Sequence, residues 1–261
     1  MKKSAIVSLL VLFIFLIPSS LLNAQELPEV IALRELELRP DANEIHFQNY
    51  YNKWCKNIKT NTKGVNAWLM KGDRGARIGK YNMAWGFNYI ETRDYYFPVS
   101  DITNYPKWNA ALERFRFQAP EEPLVENMTE YTDFIVIGYD KMLNPQLGEV
   151  ISISYPTVKA GMENELENFV TQQLNNACQD NIKGFYMYLL KGNRGAQKGT
   201  YAVLRVFDTY EDRKHYFPEN SAIPSQNFIK ARKKIMAPME KFKTFFENPP
   251  VENSSDYVIV Y

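Results

Sequence analysis

Six side chains suggest chemistry by type alone: Arg34 and Arg205 supply two guanidinium groups, and Trp68, Trp85, Tyr186 and Tyr188 supply four aromatic rings. A guanidinium beside aromatic faces can hold an anionic organic molecule, with the cation giving the charge and the rings a flat apolar wall. The same types also fill the space between packed sheets, where aromatics are ordinarily core and an Arg only satisfies a carbonyl or a carboxylate. Histidine is scarce, with only His46 and His215. Neither has the multiple-ligand spacing that zinc or non-haem iron requires, so no metal site is predicted. His215 precedes Tyr216-Phe217-Pro218 where the first half of the chain carries Tyr95 before Tyr96-Phe97-Pro98. His215 and Tyr95 are therefore the candidates for catalytic proton transfer, and a lone His could also ligate haem. There is no Gly-x-Ser-x-Gly elbow for a serine nucleophile.

A conspicuous segment, Lys71-Gly-Asp-Arg-Gly75, recurs as Lys191-Gly-Asn-Arg-Gly195. It is not a phosphate-binding P-loop, which needs four residues between its glycines and then Lys and Ser or Thr opening a helix. Glycines at fixed places between two strands fit a hairpin turn with positive φ angles. Arg74 and Arg194 at its tip are possible anion contacts.

That recurrence belongs to a longer one. Trp68 to Gly79 matches Tyr188 to Gly199 at a displacement of 120, and the match extends through Arg93 with Arg213. Near the ends, Asp133-Phe134 matches Asp256-Tyr257 at a displacement of 123, so small insertions separate the copies. Within each copy, a β-branched run (30–38; 150–158) predicts a strand. Apolar positions at Phe47, Tyr51, Trp54 and Ile58, and at Leu166, Val170, Leu174 and Ala177, predict a helix. Two strands follow (65–71 and 80–89; 185–191 and 200–208). A second helical region is capped at Thr92 or Thr209, interrupted at Pro98 or Pro218, and resumed over 108–117 or 227–235. A last strand closes each copy.

The order βαββαβ is the ferredoxin-like split unit. Two such units in one chain resemble the dimeric α/β-barrel superfamily, in which two ferredoxin-like units pack sheet to sheet around a shared cavity. The resemblance implies an α+β fold forming a pseudo-dimeric α/β barrel, and a monomer with an internal pseudo-two-fold. The superfamily includes cofactor-free oxygenases, haem-degrading and haem-dependent enzymes, isomerases and proteins of no assigned activity.

The domain reading is a signal peptide at 1–24, unit one at 25–145 and unit two at 146–261. Lys2 and Lys3 precede an apolar run from Ala5 to Ile17, and Leu22-Asn23-Ala24 closes it with a small residue. The run is shorter than the roughly 20 residues a spanning helix needs, so an exported protein, periplasmic or secreted, is expected. With 31 basic and 30 acidic residues there is no single-signed field to draw nucleic acid or an anionic membrane.

Strand alternation divides each strand between a helix-facing and an open face. Uniform aliphatic character assigns Ala202, Leu204 and Val206 to the helix side, leaving Tyr201, Val203, Arg205 and Phe207 open, with Tyr81, Met83, Trp85 and Phe87 as counterparts. On the preceding strands Trp68, Tyr186 and Tyr188 are open, and on the first strand Ile31 and Leu33 face the helices while Arg34 is open. The six candidates thus share the space between the sheets. The first functional reading is a small-molecule-binding or structural module, its ligand a small organic anion. The second is a cofactor-free oxygenase or isomerase in that inter-sheet cavity, and the third is haem binding. Cys55 and Cys178 fall on the first helix of each copy, on opposite outsides of the barrel, too far apart for a bridge.

Overall fold

A computed structural model describes residues 28–98, 105–114, 123–129, 131–137, 147–174, 182–218, 224–248 and 254–261. The proposed leader, Ala177 and Cys178 lie outside the described residues. The first half contains strand β1 (Val30–Leu38), helix α1 (Glu44–Asn61), strands β2 (Val65–Arg74) and β3 (Tyr81–Phe87), helices α2 (Ile90–Tyr96) and α3 (Pro106–Arg114), and strands β4 (Val125–Met128) and β5 (Thr132–Ile137). The second contains β6 (Val150–Ser154), α4 (Glu163–Phe169) with a π turn over Val170–Leu174, β7 (Phe185–Gly195), β8 (Tyr201–Phe207), α5 (Tyr210–Tyr216), α6 (Gln226–Arg232), α7 (Met236–Lys243) and β9 (Ser255–Ile259). Among the described residues no helix is long and apolar enough to cross a membrane.

Local signals explain most boundaries. The Asn43 side chain accepts the His46 N–H at 3.0 Å and starts α1, whose buried positions Phe47, Cys55 and Ile58 lie on one stripe. Thr209 caps α5 by accepting from Asp212 N–H at 3.0 Å, as expected. Thr92, in contrast, lies inside α2, which starts behind Tyr89 with no side-chain cap. The counterpart of Thr209 is Tyr89, so the expected cap is three residues too late. Both helices stop one residue before Phe97-Pro98 and Phe217-Pro218, because a proline disfavours helical backbone in the residue ahead of it.

The strands form one antiparallel sheet. In the first half the order is β5-β1-β3-β2, and in the second it is β9-β6-β8-β7. The free edges join, β2 to β9 and β7 to β5, which closes an eight-stranded barrel; β4 adds to β1 beyond the end of β5. The final strand of each half is thus the seam to the other. Three cores result. One fills the barrel with Ile31, Leu33, Trp68, Met70, Leu190 and Leu204 among others. The other two lie outside the barrel, under α1 to α3 and under α4 to α7.

Two strands per half therefore have their faces reversed from the sequence expectation. Residues directly opposite in an antiparallel ladder share a face. Trp85 pairs with Ala67 and Ala32, and Arg205 pairs with Met187 and Ser152. Since Ala67 and Met187 face the helices, as expected, Trp85 and Arg205 must face them too. Ala202, Leu204 and Val206 line the barrel instead, with Ile31 and Leu33. The space between the sheets is filled, leaving a void of about 20 Å³, about enough for a single water.

Candidate functional site

A cavity of about 360 Å³ lies outside the barrel, between the first half of the sheet and α1 to α3. Ladder register builds its floor. Asp133 on β5, Ala32 on β1 and Trp85 on β3 are direct partners in one row across three strands. Two residues further along β1 comes Arg34, whose partner on β3 is Met83. Ala32 is the smallest side chain of the row, and it leaves the space that the flanking Asp133 and Trp85 border. Helix α1 contributes Tyr50, Tyr51 and Trp54 as the roof, and Trp108 of α3 closes one wall, edge-on to Trp54 at 6.3 Å between centroids.

Arg34 is the cation of this cavity. Its guanidinium carbon lies 5.5 Å from the Tyr131 ring centroid and 6.0 Å from that of Trp85, so two aromatic faces hold it. One terminal nitrogen donates to the Met128 thioether at 2.9 Å, a weak acceptor for a charged donor. Its Nε and the indole Nε1 of Trp85 are buried, and neither has a hydrogen-bond partner among the described residues. Burial lowers the Arg34 pKa from its ordinary value, and it raises that of Tyr51 to about 12. Tyr131 rises to about 12 as well, from burial first and then from the negative charge of Asp133.

Asp133 is the carboxyl of the cavity. Burial pushes its pKa up to about 6, against the pull of the Arg93 and Arg194 charges. Arg93 Nη1 reaches it at 3.3 Å, while the same guanidinium makes shorter bonds to Asp94 at 2.8 Å and Asn193 at 2.7 Å.

Of the six proposed ligand-binding residues, only Arg34 and Trp85 meet here. Trp68 and Tyr188 are buried in the barrel core, and Tyr186 packs against it with its hydroxyl 3.3 Å from Asp208. Arg205 lies on the helix side of the second half, donating to Ser152 Oγ at 2.8 Å. His215 is exposed on α5, edge-on to Tyr216, and Tyr95 is exposed on α2 with Lys107 Nζ 3.7 Å above its ring. Neither lines the cavity. No imidazole does, so the described lining does not offer the histidine on which the haem reading rested. Among the described residues no three His, Cys, Asp or Glu side chains come together as metal ligands.

The recurrent Lys-Gly-Asx-Arg-Gly segments prove to be clamps between the halves. Arg74 Nη1 donates to the carbonyls of Phe217 and Pro218 at 3.3 and 3.1 Å, and Arg194 Nη1 donates to that of Phe97 at 2.8 Å. Each arginine thus caps the C-terminal end of a helix in the opposite half, where carbonyls lack helical partners. The later glycines have positive φ as expected. The first one is needed for another reason: a Cβ at Gly72 or Gly192 would fall 1.8 or 1.9 Å from the carbonyl oxygen of Arg77 or Gln197.

No family model and no curated protein matches this sequence. Solved structures do share the fold. A candidate monooxygenase from Lactobacillus acidophilus aligns with a TM-score of 0.53 at 10% identity, covering 90% of this chain and 95% of its own. Another from Fusobacterium nucleatum aligns with a TM-score of 0.54 at 12% identity, over 91% and 94%. The chain is an α+β protein with the dimeric α/β-barrel fold.

Proposed function

We propose that this protein binds a small apolar organic molecule carrying an anionic or carbonyl oxygen, in the cavity beneath α1 to α3 of its first half. One observation carries the reading: Arg34 Nε–H and Trp85 Nε1–H are two buried donors without partners among the described residues, and both belong to residues that line a largely aromatic cavity. Leaving such donors unsatisfied costs roughly 1–3 kcal/mol each, more for the charged one. An acceptor that reaches both recovers that cost. The fold, shared with candidate monooxygenases, makes a cofactor-free oxygenase or isomerase the natural enzyme counterpart of this binding site.

The same reading takes the two halves, with their identical strand orders and repeated sequence, as fused ferredoxin-like units in a single chain that works as a monomer. The basic and apolar N-terminal run supports action outside the cytoplasm.

The test uses 1-naphthoate and intrinsic fluorescence, because three of the four tryptophans, at 54, 85 and 108, line the cavity. Binding should quench them. Arg34→Met should weaken the affinity at least tenfold, and Ala32→Phe, which fills the floor, should abolish binding at unchanged melting temperature. Equal affinity in all three proteins would place the ligand elsewhere.

A further inference from the structure

We propose that Asp133 takes a proton from the bound molecule, so that the cavity is built for proton abstraction next to a carbonyl group and hence for isomerisation of an aryl or cyclic ketone. This rests on the binding reading above and adds a reaction to it.

The arrangement of the floor supplies the first argument. Asp133 and Trp85 flank Ala32 in one ladder row, so their backbones lie two strand spacings apart, about 10 Å. A ring lying over Ala32 has the Asp133 carboxylate on one side and the Trp85 indole on the other, with the Arg34 guanidinium two residues along β1 between the Tyr131 and Trp85 rings. That is the polarity which proton abstraction requires, with a base at the C–H and hydrogen-bond donors where negative charge develops.

The second argument comes from the other half. The twin of Asp133 is Asp256, in the equivalent row with Ser152 and Arg205. Arg213 grips Asp256 with both Nε and a terminal nitrogen. Arg93, the twin of Arg213, turns away to Asp94 and Asn193 and touches Asp133 with one nitrogen at 3.3 Å. A purely structural carboxylate would be held as Asp256 is. Asp133 is held loosely and faces the cavity. Burial also raises its pKa to about 6, which makes it a stronger base than an ordinary carboxylate while leaving it mostly ionised at neutral pH.

The step balances without a co-reactant. The ligand C–H bond breaks and its proton passes to the Asp133 carboxylate. The electron pair moves into the carbonyl, and the enolate oxygen accepts from Arg34 Nε–H and Trp85 Nε1–H. Where the ketone carries a double bond conjugated with the enolate, return of the proton to the far carbon of that dienolate completes an isomerisation; return to the same carbon leaves only isotope exchange.

Exchange is therefore the assay. The intact protein is incubated with 2-tetralone in deuterated buffer, and deuterium at the carbon next to the carbonyl is followed by NMR. The protein should raise the rate at least tenfold over buffer, and Asp133→Asn should remove at least nine-tenths of that gain while tetralone affinity, read by tryptophan quenching, changes less than threefold. The wild-type rate should rise with pH through an inflection near 6. Besides burial, the groups acting on that carboxyl are Arg93 and Asp94 of α2, Arg194 of β7, and Tyr131 just ahead of β5. His215→Ala should exchange like the wild type. Tetralone that binds without accelerated exchange, or exchange unaffected by Asp133→Asn, overturns the proposal and leaves the binding reading standing. Tetralone that does not bind removes both.

Discussion

The two halves of the barrel share strand order, helix placement and an Arg–Asp pair, yet they treat the space under their helices in opposite ways. In the second half, aromatic rings fill it: Phe169 packs on Phe245 at 5.5 Å and Phe185 on Phe228 at 5.7 Å. Ser152 accepts from Arg205, and Arg213 holds Asp256. In the first half the same row reads Asp133, Ala32, Trp85. With Ala32 in place of Ser152 and Trp85 in place of Arg205, that row borders a cavity, and the Trp85 Nε1 is buried there without a partner among the described residues. A fold with two equivalent faces can thus keep one for stability and free the other for a ligand.

The largest expected consequence is in stability. Arg213 is fully buried, and Arg213→Met removes both of its hydrogen bonds to the partly buried Asp256, which then keeps only the field of Arg205; this should cost about 3 kcal/mol. Arg93→Met should cost about 2 kcal/mol, because Asp133 is held less tightly and keeps the field of Arg194. Urea unfolding of both variants at pH 8 measures the difference. Equal losses would mean that the two carboxylates are held alike, and the contrast between the halves would fail.

How much of this could be read from the residues divides along the same lines. The repeat and the order of periodicities led to the barrel, because hairpin turns, proline breaks and helical stripes are local signals. The facing of β3 and β8 was not local. Tyr201, Val203 and Phe207 are as apolar as Ala202, Leu204 and Val206, and both sets are buried, so alternation alone could not say which set met the helices. Only the ladder decides, and a ladder shifted by one residue exchanges the faces. Asp133 was missed although its signal was present: an acid inside the apolar run Thr132 to Ile137, repeated as Asp256 before Tyr257-Val258-Ile259. A charge kept in the same buried strand position twice calls for a partner or a task. Met128 and Tyr131, by contrast, meet Arg34 only because β4 and β5 both line β1, and nothing in their spacing announced it.

The next effect in size depends on pH. Asp133 has a folded pKa of about 6, against about 3.9 in an unfolded chain. Between those values the native state holds more protons than the unfolded state, so raising the pH from 4 to 7 lowers the stability contributed at this site. At about 1.4 kcal/mol per unit, the penalty approaches 2–3 kcal/mol and is complete above pH 6. Asparagine does not titrate, so the stability of Asp133→Asn relative to the wild type should improve by that amount across the interval. Urea midpoints at several pH values give the comparison, and parallel curves would show that burial does not strain this carboxyl.

The smallest effect separates the two clamps. Arg74→Met and Arg194→Met should each cost about 1 kcal/mol, the typical worth of a partly buried hydrogen bond. Arg194 bonds the Phe97 carbonyl, and Phe97 lines the cavity; Arg74 bonds Phe217, which packs in the filled second core. Arg194 also pairs with Asp94 at 2.7 Å, the residue that draws Arg93 away from Asp133. Releasing Arg194 should therefore loosen one wall of the cavity and weaken 1-naphthoate two- to threefold. Releasing Arg74, at similar cost in stability, should leave the affinity unchanged. Matched stability losses with unmatched affinities would establish that the clamp on the first half serves its cavity as well as its fold. Identical affinities would reduce both turns to joints between halves.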